Sequence, residues 1–327
     1  MTLFQPIQER SELWRASHQF AKAVASDLNV TLEIVSIDDD TRDRFAFKKL
    51  TLDTLEGQQG RDFVISLLYG GGEYEQLEIF NRIGIPFITF NSSLGPKLLK
   101  RMGQPRQQFK HWIAHVSPDE FDAGAKLVAD LINHKKGKTI AFLGGATNSV
   151  VNRHRIQGGL KQAKLESVVS IPPIYTDWSE QKSIVAAQTL LKRAPDIDMI
   201  WTAAPEIALG VSKVISASNH DAVVGSFDWT QTNFDLIKQD KLQFTYGGHF
   251  MDAGWTLIMI FDYLSGVDFE NELGNLILSN LEKVNKSNVS QASQRISSSN
   301  WSAIDFGQYS KCLNPLRKKY NFQLPID

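Results

Sequence analysis

Residues 139–164 read Thr-Ile-Ala-Phe-Leu-Gly-Gly-Ala-Thr-Asn-Ser-Val-Val-Asn-Arg-His-Arg-Ile-Gln-Gly-Gly-Leu-Lys-Gln-Ala-Lys, and this stretch decides the fold. An apolar run suited to a strand, 139–143, passes through Gly144-Gly145 to Ser149 and then into helical spacing as far as Lys164, which is one βα unit. Downstream the unit recurs: strands at 168–171, 199–202 and 222–227, each followed by a helix, at 179–193, 205–218 and 230–239. Such alternation specifies parallel strands with helical crossovers.

Upstream the grammar is the same. A strand at 2–4 leads to a helix with Leu13, Ser17, Phe20, Val24 and Leu28 on one face and Asn29 beyond its end. Strands follow at 31–37, 63–69 and 85–90, the last two separated by a helix carrying Leu77, Phe80 and Ile83 and stopped by Gly84. Residues 91–110 carry Gly95, Pro96, Gly103 and Pro105 without periodicity and read as a long surface excursion. Beyond an extended segment at 111–116, Ser117-Pro118-Asp119-Glu120 predicts a capping box, with Ser117 as N-cap, Pro118 at N1 and Glu120 at N3 of a helix to about His134.

Strand 244–246, Gly247-Gly248 and the apolar helix 250–264 exceed what one sheet accommodates, so the expected architecture is α/β with two similar doubly wound parallel-sheet lobes. Strand-like 276–278 and 281–284 precede a Ser/Asn/Gln-rich stretch, 286–300, which admits a short capped helix at 288–296 or a flexible linker. Trp301, Phe306, Tyr309, Tyr320 and Phe322 then predict that the end of the chain packs on the body.

The 327 residues are 42% hydrophobic and 22% charged, with 35 Lys+Arg against 36 Asp+Glu and a net charge of −1. That balance removes the broad basic field of a non-specific nucleic-acid binder, and no partner of that kind is expected. The longest apolar stretches, around Ser66 and Thr256, fall far short of the roughly 20 residues of a membrane helix, so direct membrane insertion is not expected. One cysteine, Cys312, excludes an intrachain disulfide and a cysteine-rich metal site. Neither Gly-x-Gly-x-x-Gly nor Gly-x-x-x-x-Gly-Lys-Ser/Thr occurs, nor does Gly-x-Ser-x-Gly. Tyr69-Gly70-Gly71-Gly72 reads as a tight turn, and His111 and His115 in an extended segment stand about 13 Å apart, too far to share a zinc ion. No cofactor or metal is expected.

In open α/β sheets a ligand sits beyond the carboxyl ends of the strands. The residues there are Gln8, Glu9, Ser11 and Trp14 after the first strand, Tyr69 after the third and Asn91 after the fourth. In the second series they are Asn148, Arg153 and Arg155, then Asp177 and Trp178, then Glu206, then Asp228 and Trp229, with His249 from the crossing. Indole faces stack on C–H surfaces while amide, guanidinium and carboxylate bind hydroxyls, which suits a polar ring. Ordinary roles compete: Trp14 fits a helix-face core, Arg155 a solvated helix end, and Asp228 a cap for the helix near Thr230.

The order of these motifs resembles the type I periplasmic binding proteins, which include ribose- and galactose-binding receptors and lac-repressor-type effector domains. The resemblance runs from Thr2 to about Gly266 on Ser11-Glu12-Leu13-Trp14, Ile85-Pro86-Phe87-Ile88-Thr89-Phe90-Asn91, Ser149-x3-Arg153-His154-Arg155-x2-Gly158, Thr176-Asp177-Trp178, Pro195-Asp196-Ile197-Asp198, Glu206-Ile207-Ala208-Leu209-Gly210, Val224-Gly225-Ser226-Phe227-Asp228 and Gly254. It implies stacking aromatics at Trp14 and Trp178, hydroxyl binding at Asn91, a clamping Arg155 and a carboxylate at Asp228. Asn91-Ser92, Ala204 and Gly248 depart from the Asp-Arg, Asn and Gln/Asn of the family. The Gln/Ser/Trp start and Asn91 are also similar to the furanosyl borate quorum-signal receptor, although Gly248 replaces that receptor's second Arg.

The resemblance implies a monomeric, non-enzymatic periplasmic solute-binding protein, its leader removed. Its lobes, 1–114 plus 249–279 and 115–248 plus 280–327, would close on a sugar or sugar-derived ligand in the cleft between them, about a three-crossing hinge. The expected ligand residues are Trp14, Ser11, Glu9, Asn91, Arg155, Trp178, Asp228, Tyr69, Glu206 and His249. The partner would be an ABC permease or, alternatively, a membrane sensor kinase; a transcription-factor effector domain is the second alternative.

Overall fold

The computed structural model describes residues 1–38, 44–56, 62–69 and 71–324. Along the chain come β1 (Thr2–Pro6), α1 (Glu12–Asp27), β2 (Glu33–Ile37), α2 (Arg44–Leu55), β3 (Val64–Ser66), α3 (Glu73–Ile83), β4 (Phe87–Phe90), α4 (Pro96–Met102) and β5 (Trp112–Pro118). Then follow α5 (Glu120–Lys135), β6 (Thr139–Gly144), α6 (Val150–Leu165), β7 (Val169–Ser170), β8 (Ile174–Tyr175), α7 (Glu180–Arg193), β9 (Met199–Thr202), α8 (Pro205–Ser218), β10 (Val223–Phe227), α9 (Gln231–Lys238) and β11 (Phe244–Gly247). The chain ends with α10 (Asp252–Leu264), α11 (Glu270–Leu273), β12 (Leu276–Ser279), β13 (Glu282–Val284), α12 (Val289–Arg295) and α13 (Ser298–Trp301). No helix of the described residues is long and apolar enough to cross a membrane.

These elements form two compact units: Met1–Pro118 with His249–Ser279 and Ser297–Asp327, and Asp119–Gly248 with Asn280–Ile296. The first unit holds a parallel sheet of order β12-β5-β4-β3-β1-β2. The second holds β13-β11-β10-β9-β6-β7, with β8 also on β6, parallel except for β13 against β11. The central strands are apolar runs covered on both faces by crossover helices, as parallel sheets require: β1, β3, β4, β9 and β10 are buried at every residue.

Four features differ from the sequence reading. Ser117 and Pro118 are the end of β5, where Ser117 pairs with Leu278 and Pro118 with Ser279 of β12. The helix cap is Asp119, whose Oδ1 accepts the Asp122 N–H at 2.9 Å. A residue before proline favours extended backbone, and the β12 ladder extends the strand through it. The supposed excursion at 91–110 is anchored: it contains α4, buries Met102 and Phe109, and fixes Arg106 to the Ile113 carbonyl and to Asp268 and Glu270. Residues 168–171 give only the two-residue β7, with β8 following.

The largest difference is the tail. Residues 297–327 belong to the first unit, not the second, so the chain passes between the units four times rather than three. The reason is an aromatic cluster. Phe20 of α1 meets Trp255, Trp301, Phe306 and Phe250 edge-on at ring distances of 5.1, 5.2, 5.5 and 5.8 Å, and Phe322 stacks on Trp255 at 5.4 Å. Polar ties fix the register. Asp27 accepts the amides of Phe306 and Gly307. The buried carboxylate of Asp262 accepts the Ser310 hydroxyl, the Lys311 and Cys312 amides and the Tyr320 hydroxyl.

Trp301 is 1% exposed at the centre of this cluster. Trp301→Ala is expected to destabilise the first unit by about 3–5 kcal/mol. Urea unfolding followed by hydrogen exchange checks this, with amides of the second sheet retaining their protection.

Candidate functional site

In the first unit the sheet order places β4, β3 and β1 side by side, so the residues after them share one edge. After β1 comes a 3-10 turn, Gln8–Arg10, in which the exposed Glu9 accepts from Gln8 Nε2 at 3.1 Å. Ser11 then caps α1, its Oγ accepting the Trp14 N–H at 3.4 Å. Trp14 is half-buried in the first helical turn. Tyr69, beyond β3, lays its ring against Phe47 at 4.9 Å and donates its amide to Gln76 Oε1. Asn91 follows β4 with φ of 49° and donates its amide to the Val116 carbonyl, and its side chain makes no hydrogen bond among the described residues. Ser92 joins this turn to the β3 loop by accepting the Leu68 amide at 2.9 Å.

Beneath Asn91, Thr89 Oγ1 accepts from Trp112 Nε1 at 2.9 Å and bonds His115 Nδ1 at 2.8 Å. Burial pushes the His115 imidazole down to about 4, so it is neutral at physiological pH. His249 lies buried in the 3-10 turn His249–Met251, which packs on α1 of the same unit.

In the second unit β10, β9 and β6 are neighbours and β8 pairs with β6. Their carboxyl ends bring Asp228, Glu206, Arg155 and Trp178 to one edge. Thr176 holds the β8 end by donating its amide and hydroxyl to the Gly144 carbonyl, at 3.0 and 2.9 Å. The chain then turns through Asp177 and Trp178 at φ of 50° and 64°, and Ser179 caps α7. This lays the half-buried indole directly over Gly145, where an added Cβ would stand 2.2 Å from Trp178 Cε2. Asn152 fixes the floor, accepting the Gly145 amide at 2.8 Å and donating to the Ala146 carbonyl.

Arg155 is 3% exposed and is no solvated helix end. Its Nε and Nη2 donate to Glu120, its Nη1 donates to the Ala203 carbonyl at 3.0 Å, and its guanidinium lies over the Phe227 ring at 4.4 Å. Nη1 also stands 3.7 Å from Asp228 Oδ1. The helices that carry Glu120 and Arg155 meet backbone to backbone. A Cβ on Gly124 would fall 1.9 Å from the Arg155 carbonyl, and one on Gly158 would fall 1.8 Å from the Phe121 carbonyl.

Asp228, 6% exposed, takes φ of 71° because Asn233 Nδ2 and the Thr245 hydroxyl both donate to its carbonyl, at 3.1 and 2.9 Å. Left-handed backbone at non-glycine residues costs roughly 1–3 kcal/mol each and is held only by such surroundings. Asn91, Asp177, Trp178 and Asp228 all adopt it at strand ends. Glu120, Asn152 and Asn233 support the candidate site and were not marked by the sequence: Glu120 read as a capping-box member, and nothing set the other two apart within the helices at 149–164 and 230–239. A separate cavity of about 600 Å³ opens between α8 and α9, lined by Leu209, Lys213, Asp235 and Lys241 among others, and none of the predicted residues lines it.

Burial pushes the Asp228 carboxyl up to about 7; Arg155 opposes this, while Glu206 and Glu120 add to it. A raised folded value means stability that is full below the ordinary value of 3.8 and lost as pH rises through neutrality. Asp228→Asn is therefore expected to match wild-type stability near pH 4 and to exceed it by on the order of 2 kcal/mol at about pH 8. Urea unfolding at both pH values measures the difference, and a gain independent of pH would assign it to packing instead.

Comparison with known proteins agrees with this architecture. The family pattern described as "Periplasmic binding protein domain" matches residues 75–266. The ribose import binding protein RbsB of Bacillus subtilis is 26% identical over 174 residues, 52% of this chain and 51% of that protein. The HTH-type transcriptional regulator MalR of Streptococcus pneumoniae is 28% identical over 173 residues, 52% of this chain and 48% of that protein. The matched segment thus spans about half the length of these curated relatives. A periplasmic sugar-binding protein from Pseudomonas fluorescens superimposes with a TM-score of 0.85 at 21% identity, over 98% of this chain and 97% of that one. A galactofuranose binding protein gives 0.76 at 15% identity, over 92% and 99%. With two parallel-sheet units and a family match over more than half its length, the chain belongs to the periplasmic binding protein family, in the type I fold.

Proposed function

We propose that this chain is an extracytoplasmic binding protein for a monosaccharide or sugar-derived ligand, which it presents to an ABC transporter permease without chemical change. The observation that carries the reading is the edge formed by Trp178 over Gly145 beside Arg155, Asp228 and Glu206. An indole face offers C–H stacking, and a buried carboxylate and guanidinium offer hydroxyl acceptors and donors, the combination a pyranose or furanose ring requires. In the first unit the same proposal gives Trp14 and Asn91 ligand-facing roles, with Ser11, Glu9, Tyr69 and His249 around them. The ribose import relatives and the sugar-binding structural neighbours support a carbohydrate.

A second reading is a receptor that acts on a membrane histidine kinase. It is favoured by the XylFII-LytSN complex among the structural neighbours, at a TM-score of 0.69 and 16% identity over 88% of this chain and 97% of that one. The third, an effector domain of a transcription factor, rests on the MalR match.

Thermal shift of protein unfolded and refolded to shed carried ligand, against D-ribose, D-allose, galactose and sugar alcohols, tests the carbohydrate. A ligand at 100 times its Kd adds about 2.7 kcal/mol, and silence across the panel would overturn the sugar reading. Trp178→Ala is expected to weaken the binding of any sugar found in this way by about tenfold or more, or about 1.4 kcal/mol, with the unfolding curve retained. Isothermal titration decides, and unchanged affinity would return Trp178 to a purely structural role.

A further inference from the structure

Glu120 opens α5, yet it serves none of the usual purposes of an acidic residue in a first turn. The cap is Asp119, and Asp122 supplies further negative charge at the same helix end. Glu120 is instead 2% exposed and turned inward, with both carboxylate oxygens on Nε and Nη2 of Arg155. Gly124 and Gly158 permit the helix contact that brings the two side chains together. With two N–H edges gripped and Nη1 on the Ala203 carbonyl, the guanidinium has one orientation, and Nη1 is the atom nearest Asp228.

We propose that Glu120 is a positioning residue for the ligand site: by clamping Arg155 it aims Nη1 at Asp228 and divides the guanidinium's charge between two carboxylates, and so decides whether Asp228 meets a ligand hydroxyl as acceptor or as donor. The proposal rests on the reading of Asp228 as a ligand-facing carboxyl. Among the described residues, Arg155 from α6, Glu120 from α5 and Glu206 from α8 are charged groups that act on Asp228. Asn233 of α9 and Thr245 of β11, which hold its carbonyl, are neutral. Removing the charge of Glu120 leaves the whole positive charge of Arg155 to Asp228, whose carboxylate is then favoured to lower pH.

The test begins without ligand. Carboxyl carbon NMR of aspartate-labelled protein, with D228N to identify the signal, follows the Asp228 titration between about pH 5 and 9. The wild-type midpoint is expected near neutrality, and E120Q is expected to lower it by about one pH unit or more. A folded E120Q with an unmoved midpoint overturns the proposal. Should E120Q fail to fold, E120D, which keeps the charge but cannot span both edges of the guanidinium and so releases the aim of Nη1 at Asp228, is expected to raise the midpoint, and no movement overturns the proposal equally. D-ribose titration across the same range adds a second readout, in which affinity is expected to follow the Asp228 midpoint of each protein. A uniform loss of affinity at every pH, with the midpoint unmoved, makes Glu120 merely structural and sinks the idea. Ribose bound by neither protein while the Asp228 signal moves removes the ribose assignment and leaves the Glu120 clamp standing.

Discussion

A guanidinium excluded from water must have its charge answered inside the protein, and around Arg155 this requirement organises the second unit. Breaking such a pair costs about 3–5 kcal/mol, because the surviving charge keeps its desolvation penalty. Glu120 takes two of the donors, a strand-end carbonyl takes another, and the face of Phe227 covers the plane. Burial raises the Glu120 carboxyl while the guanidinium opposes it. For Arg155, burial acts to lower its basicity, but Glu120 and Asp228 outweigh it and hold the group above its ordinary value. The pair thereby ties the start of α5 to α6 and to the ends of β9 and β10.

The strand ends of both units show how a rigid sheet places side chains through strained turns. Parallel strands deliver their carboxyl ends to one side of each sheet, and at three of those ends, after β4, β8 and β10, the backbone takes the left-handed turn at residues that carry a full side chain. Each turn is held by hydrogen bonds to its main chain: Asn233 and Thr245 for Asp228, the Val116 carbonyl for Asn91, and the Thr176 bonds for Asp177 and Trp178. The strain is local and its supports are neutral groups, which keeps the electrostatics of the edge in the hands of Arg155 and its carboxylates.

Most of the framework was legible because strand and helix periods differ sharply, and 139–164 displays both in one stretch. Strand-end residues could be named from the sequence since topology alone assigns them to one side. What escaped notice depended on partners remote in the chain. Ser117 and Pro118 look like a helix start until β12 arrives to pair with them. Residues 91–110 look loose until Asp268 and Glu270 meet Arg106. Glu120 looks like a cap because its partner lies on the following helix, and an acidic residue in a first turn gives no sign of which way it faces. The aromatic tail announces burial but carries no address, and only the shape of the α1 and α10 surface directs it to the first unit.

That address bears on the order in which the chain can finish folding. The first unit draws on residues from the start of the sequence, yet its core lacks Trp301, Phe306 and Phe322, and the Asp262 carboxylate lacks its donors, until residues 301–322 have been made. The second unit is complete in sequence by Ile296. During synthesis, which proceeds from the N-terminus, the unit that starts first is the one that closes last. A nascent chain stalled between Ile296 and the aromatic residues of the tail therefore carries a second unit complete in sequence beside a first unit whose aromatic seam is still open.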